Sequence, residues 1–298
     1  MTTDPHCAYE VIEPTPRGGA GRAFRARVAR EGAALPVGAA AQLRVVLEDE
    51  AGGAAVLERL VAEHEAARRT ESALVDAPVE FGVSTDERGR FFWCASRWRD
   101  GRTLTEILAG ATSLPDPFVD AIAKQAAQAV CAAHRAGVRA VGLSPDSLLL
   151  LDDASILLLD PAFGPAHAAS WPGSGPASPS LACAAPETIR GRADARADLW
   201  SLGATLFRAM TGQWPRPDDA QALRCEPESF AARRPSELRP RSSVFLDELV
   251  FALLAPDRAA RFASFDELAL VLDQHRGSPW WRGLPVNAAR APQAEQRG

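Results

Sequence analysis

The sequence predicts an α+β chain of two unequal lobes, a small β-rich one followed by a larger helical one. Three observations carry this. Runs with period-two alternation and β-branched or aromatic content crowd the region before Arg99. Beyond the Arg99-Asp100-Gly101 turn, apolar residues recur at helical spacing. The chain, at 298 residues, exceeds one average domain and suits a single two-lobed domain of roughly 250 residues with short tails.

The elements follow in order. Tyr9 to Ile12 has strand character, and Pro16-Arg17-Gly18-Gly19-Ala20-Gly21 makes a tight turn into a second strand, Arg22 to Val28. Gln42 to Leu47 alternates as a third strand. Leu57, Leu60, Val61 and His64 mark one face of a helix across Ala54 to Arg69, and strands at Val79 to Val83 and Phe91 to Arg97 complete a small sheet.

In the second part, Leu104 to Leu108 is a short helix, and Phe118 to His134 a long one with Phe118, Ile122, Val130 and Ala133 on its apolar face. Leu148 to Leu151 and Ile156 to Leu159, split by Asp152-Asp153-Ala154-Ser155, form a hairpin of two buried strands. Six prolines between Pro161 and Pro186 leave no regular element expected there. Asp198 to Met210 is apolar nearly all round, the mark of a buried central helix. Helices at Phe245 to Leu254 and Glu267 to Leu272 follow, the latter opened by Ser264 and Glu267 at capping-box spacing. From Gly277 onward the composition is tail-like except for Trp280 and Trp281, which either cover the helical lobe or anchor a partner.

Composition excludes several functions. A net charge of -5 and a pI near 5.6 give no basic footprint for nucleic acid or anionic membrane. No stretch approaches the ~18 apolar residues of a membrane span, and Met1 to Glu10 lacks the pattern of a secretion signal, so a soluble cytoplasmic protein is expected. Cys7, Cys94, Cys131, Cys183 and Cys225 are odd in number and never spaced as CxxC, which signals reduced thiols rather than zinc or a disulfide framework. Of 33 basic residues only Lys124 is a lysine.

Ala133-His134-Arg135-Ala136-Gly137-Val138, then Leu143-Ser144-Pro145, a hairpin and Leu158-Leu159-Asp160, resemble the catalytic core of bacterial Hanks-type Ser/Thr protein kinases. Ala185-Pro186-Glu187 resembles the family's APE motif, Asp198-Leu199-Trp200-Ser201-Leu202-Gly203 its central-helix signature, and Asp257 to Arg261 its late arginine motif. The resemblance spans residues 9 to 275 and implies a bilobal protein kinase-like fold. It divides the chain into an extension (1–8), an N-lobe (9–96), a hinge (97–101), a C-lobe (102–276) holding a degenerate activation segment (160–187), and a tail (277–298).

Phosphoryl transfer in this family needs a glycine-rich cover, a third-strand lysine, a catalytic-loop base and two metal-binding groups. The glycine motif falls on Pro16, Gly18, Gly21 and Ala23; proline removes an amide donor, and the segment is either a phosphate cover or a simple hairpin turn. The lysine position is Arg44, at the family's spacing to Glu63, and an Arg44–Glu63 ion pair is implied. Gln42 replaces the small residue that touches adenine. Lys124, on a C-lobe helix, cannot substitute. The HRDxKPxN motif falls on Ala140 to Ser147: Ala140, Val141 and Gly142 replace the histidine, arginine and base, Ser144 the lysine, and Ser147 the second metal ligand. Losing the base alone forfeits about 10²- to 10⁴-fold. Asp146, the nearest carboxylate, is expected to face the wrong way to replace it.

DFG becomes Asp160-Pro161-Ala162, so Asp160 is either a surviving metal ligand or a turn cap, and the lobe-linking phenylalanine is lost. Val141 stands where the family's arginine receives a loop phosphate, so a phosphorylated loop loses its receptor, and Ser170, Ser174, Ser178 and Ser180 are read as solvated hydroxyls of that loop. Glu187 with Arg261, and Asp198, keep the family's scaffold. The implied function is a catalytically inactive, protein-binding scaffold or regulatory module whose partner is another protein, with no cofactor expected. The alternative is a degenerate kinase holding ATP and Mg²⁺ weakly through Gly18, Gly21, Arg44, Glu63 and Asp160. Docking is expected at the proline-rich loop, the Ser96 to Asp100 hinge or the paired tryptophans.

Overall fold

The computed structural model describes residues 8–17, 21–138, 141–163, 179–190, 194–216 and 233–285. Strands β1 (Tyr9–Thr15), β2 (Arg22–Val28), β3 (Ala40–Leu47), β4 (Glu80–Asp86) and β5 (Gly89–Arg97) pair antiparallel in the order β1-β2-β3-β5-β4. Alternation along each strand splits their side chains between two small cores. Ala26, Val28, Leu43, Phe91 and Trp93 fill one face. Val46, Phe92 and Cys94 meet Leu57 and Leu60 on the other. Those leucines belong to α2 (Ala54–Ala67), which follows the short α1 (Glu48–Ala51). After α2 the chain touches the second lobe, where Asp76 N–H donates to Leu158 O and Leu158 N–H to Leu74 O, both at 2.8 Å.

A second sheet, β6 (Arg102–Thr103), β7 (Leu148–Leu150) and β8 (Ile156–Leu158), lies at the lobe junction. Thr103 begins α3 (Leu104–Leu108) with a full capping box to Glu106. The helical lobe comprises α4 (Asp116–Arg135), α5 (Pro179–Cys183), α6 (Pro186–Ile189), α7 (Ala195–Thr211), α8 (Pro235–Leu238), α9 (Val244–Leu253), α10 (Phe265–Gln274) and α11 (Pro279–Arg282). Its core runs through α4, α7, α9 and α10, with α7 buried almost all round as its apolar circumference requires.

One expectation changes. Helix α5 forms inside the stretch from Pro161 to Pro186 that was expected to hold no element, because proline is tolerated in a helix's first turn and Leu181, Ala182 and Cys183 gain burial. Of the two roles left open for the tryptophans, the structure shows the covering one: Trp281 is buried in the large core, and Trp280 lies 5.2 Å from the Phe262 ring. Ser264 caps the N–H of Glu267, but Glu267 returns to the N–H of Ala263 rather than to Ser264, so the box is only half closed. Among the described residues no helix is long and apolar enough to cross a membrane, and Cys94, Cys131 and Cys183 are free thiols.

Candidate functional site: the cleft between the lobes

The cleft is built from β3 and the end of β8. Period two sends Gln42, Arg44 and Val46 to the face opposite Leu43, and all three are buried. Asp160, two residues beyond β8, adopts a left-handed backbone (φ 49°), a region in which aspartate is one of the better tolerated side chains. Its Oδ2 accepts from Gln42 Nε2 at 2.9 Å and from Arg44 Nε at 2.9 Å, and lies 2.6 Å from Arg44 Nη2. The side chains of Arg44 and Asp160 are 1% and 5% exposed. The sequence offered Glu63 as the carboxylate for Arg44; Glu63 is buried on α2, and the structure adds Asp160, which no local spacing pointed to.

Arg44 also donates to the carbonyl of Arg17, on the turn after β1. Gly21, where that turn enters β2, has φ 77°, and a Cβ there would sit 2.6 Å from Val45 O. The close approach of two backbones therefore accounts for this glycine. Gly18 and Ala140 lie outside the described residues.

The catalytic-loop positions are held by α7. Asp198 accepts from the N–H groups of Val141 (2.9 Å) and Gly142 (3.1 Å), and meets His134 Nε2 at 2.9 Å. Gly142 has φ 72°. Ser147 turns onto its own loop: its Oγ accepts from Ser144 N–H at 3.0 Å and donates to Ser144 O at 2.8 Å. Ser144 is fully buried with its hydroxyl unbonded. Burial pushes the Asp146 carboxyl above its ordinary pKa, with Thr105 of α3 beside it.

One expectation is corrected. Replacing the motif phenylalanine by Pro161 does not remove the aromatic link between lobes, because Phe163 supplies it from two positions downstream. Phe163 is 1% exposed, packs with Leu57, Leu60 and Phe92, and lies 4.7 Å from the His64 ring and 5.2 Å from the Arg44 guanidinium. Its signal in sequence was an aromatic closely following the aspartate. His64 donates from Nδ1 to Leu60 O at 2.7 Å, and burial pushes its pKa down to about 3, so the ring is neutral.

Behind this group, Asp76 is buried beside Ser96, at the start of the hinge. Burial first, and then the charge of Asp160, raise Asp76 to about 7 against the opposing pull of Ser96, Arg99 and Arg97. Sequence reading missed this carboxyl. Farther down, Arg261 forks onto Glu187 at 2.5 and 3.1 Å and lies 5.1 Å from the Trp200 ring, with Arg216 at the same distance.

A divalent ion at Asp160 Oδ2 would compete with the Arg44 guanidinium for that oxygen, and Ser147 spends its hydroxyl on backbone. Among the described residues no three His, Cys, Asp or Glu side chains converge as a metal site.

No family model matches the chain. Over 247 residues it is 31% identical to the serine/threonine-protein kinase PknJ of Mycobacterium tuberculosis, covering 70% of this chain and 41% of that protein. PknL of the same organism is 30% identical over 242 residues, covering 78% of this chain and 57% of PknL. The chain thus spans about half the length of these curated relatives. The crystal structure of the PknI kinase domain of Mycobacterium tuberculosis matches with a TM-score of 0.68 at 24% identity, over 91% of this chain and 96% of that one.

Proposed function

Because the chain belongs to the bacterial Hanks-type family of Ser/Thr protein kinases, we propose that it is a pseudokinase, a kinase-like module that transfers no phosphoryl group and acts by binding another protein. The observation that carries this reading is the Asp160 carboxylate oxygen, already shared by Gln42 and Arg44. In an active kinase the corresponding groups hold metal and phosphate. Here they hold each other. The base position, Gly142, has no side chain to take a proton, and Ser144 has no charge to steady a phosphate.

Thermal unfolding with ATP and Mg²⁺ up to millimolar concentration tests the reading. A ligand at 100 times its Kd adds about 2.7 kcal/mol of stability. We expect Tm to stay constant. A saturable, Mg²⁺-dependent rise would instead favour a degenerate kinase that still holds nucleotide.

A further inference from the structure

Arg17 is 9% exposed, although it lies on a turn of the small lobe. Its Nη1 donates to Arg99 O at 2.6 Å and its Nη2 to Gly101 O at 2.8 Å, so one planar fork spans the hinge. The guanidinium carbon sits 4.0 Å from the centroid of the Trp98 ring, a cation–π distance, and Arg25 approaches the same ring at 5.0 Å. Trp98 is itself held, its indole N–H donating to Asp100 Oδ1 at 3.1 Å and its backbone N–H to Ala40 O at 3.2 Å. At the other end, the Arg17 carbonyl accepts from Arg44, which is bolted to Asp160. Burial lowers the Arg17 pKa and Arg25 lowers it further, while the carboxylates of Glu106 and Asp100 counter both.

We infer that Arg17 is an intramolecular latch: the chain supplies its own lobe-bridging ligand, tying the turn after β1 to the hinge and to the start of the helical lobe. Gly101 directly precedes β6, whose Arg102 pairs with Leu150, so a bond to its carbonyl is a bond to the second lobe. Two carbonyls, one aromatic face and the Arg44–Asp160 pair form a continuous path across the cleft. The path fixes the lobes in one relation that needs no nucleotide.

Hydrogen exchange on the full chain, without nucleotide, tests the latch. Arg17→Ala should speed exchange in peptides covering 97–103 by about tenfold, as expected when a local closure is lost. Arg17→Lys should fall between the two, because an ammonium can satisfy one carbonyl but neither fork nor stack. Arg22→Ala, which removes an exposed pair with Glu50, should match the wild type. Unchanged hinge exchange in Arg17→Ala overturns the latch. Should that variant fail to fold, Trp98→Leu removes the stacking face, and wild-type exchange there has the same consequence. The assay contains no nucleotide, so its failure would leave the pseudokinase reading standing, and nucleotide binding would do the reverse.

Discussion

The Arg44 guanidinium and the Asp160 carboxylate, 116 residues apart in sequence, meet at 2.6 Å with both side chains closed off from solvent. A buried pair of this kind contributes little against an apolar replacement, but breaking one half is expensive. Asp160→Ala removes the acceptor shared by Gln42 and Arg44 and should lower unfolding stability by about 3–5 kcal/mol. Urea melts would show it, and a loss below about 1 kcal/mol would mean the pair is solvated in solution.

Phe163 does the lobe-linking work expected of a motif phenylalanine. Its ring is enclosed by α2 and β5 residues, so Phe163→Ala should cost about 3–5 kcal/mol, the range for emptying an aromatic core site. Pro161→Ala, in the motif position itself, should cost far less. Parallel denaturation curves for the two variants decide whether the link has moved.

Restoring single catalytic residues should not restore catalysis. Arg44→Lys with Gly142→Asp returns a lysine and a base, but neither the second metal ligand nor the small residue at position 42. Ser147 also remains bound to its own loop. We expect no autophosphorylation with radiolabelled ATP, and any reproducible incorporation contradicts this.

Two buried groups should titrate in opposite senses. His64 has its pKa lowered by burial from 6.5 to about 3, so its contribution is full above pH 6.5 and is lost as pH falls toward 3. Asp76 has its pKa raised, chiefly by burial, from 3.8 to about 7, so its contribution is full below about pH 4 and is lost as pH climbs through 7. Between those limits the two slopes oppose each other and the wild type should be nearly level. Asp76→Asn should gain on the wild type by a few kcal/mol between pH 5 and 8, and His64→Leu should flatten the acid limb. Stability differences independent of pH in both variants would remove these assignments.

The sequence by itself determined the order and kind of most elements, and its family resemblance said at which positions catalytic side chains are expected to be missing. Alternation from Gln42 to Leu47, the all-round apolar α7 and the landmarks Glu187, Asp198 and Arg261 were legible because local periodicity and fixed spacing write them into the chain. The same spacing is what reads Gly142, Ser144 and Ser147 as replacements of the family's catalytic-loop residues. What only the tertiary structure decided was where the remaining groups turn. Asp160 closes on Arg44 and Gln42, Phe163 replaces a missing neighbour, Asp76 is buried beside Ser96, and Arg17 reaches the hinge 82 residues away. These contacts follow from burial and hydrogen-bond satisfaction between distant strands and loops, and a buried guanidinium takes whatever acceptors the fold brings within its reach.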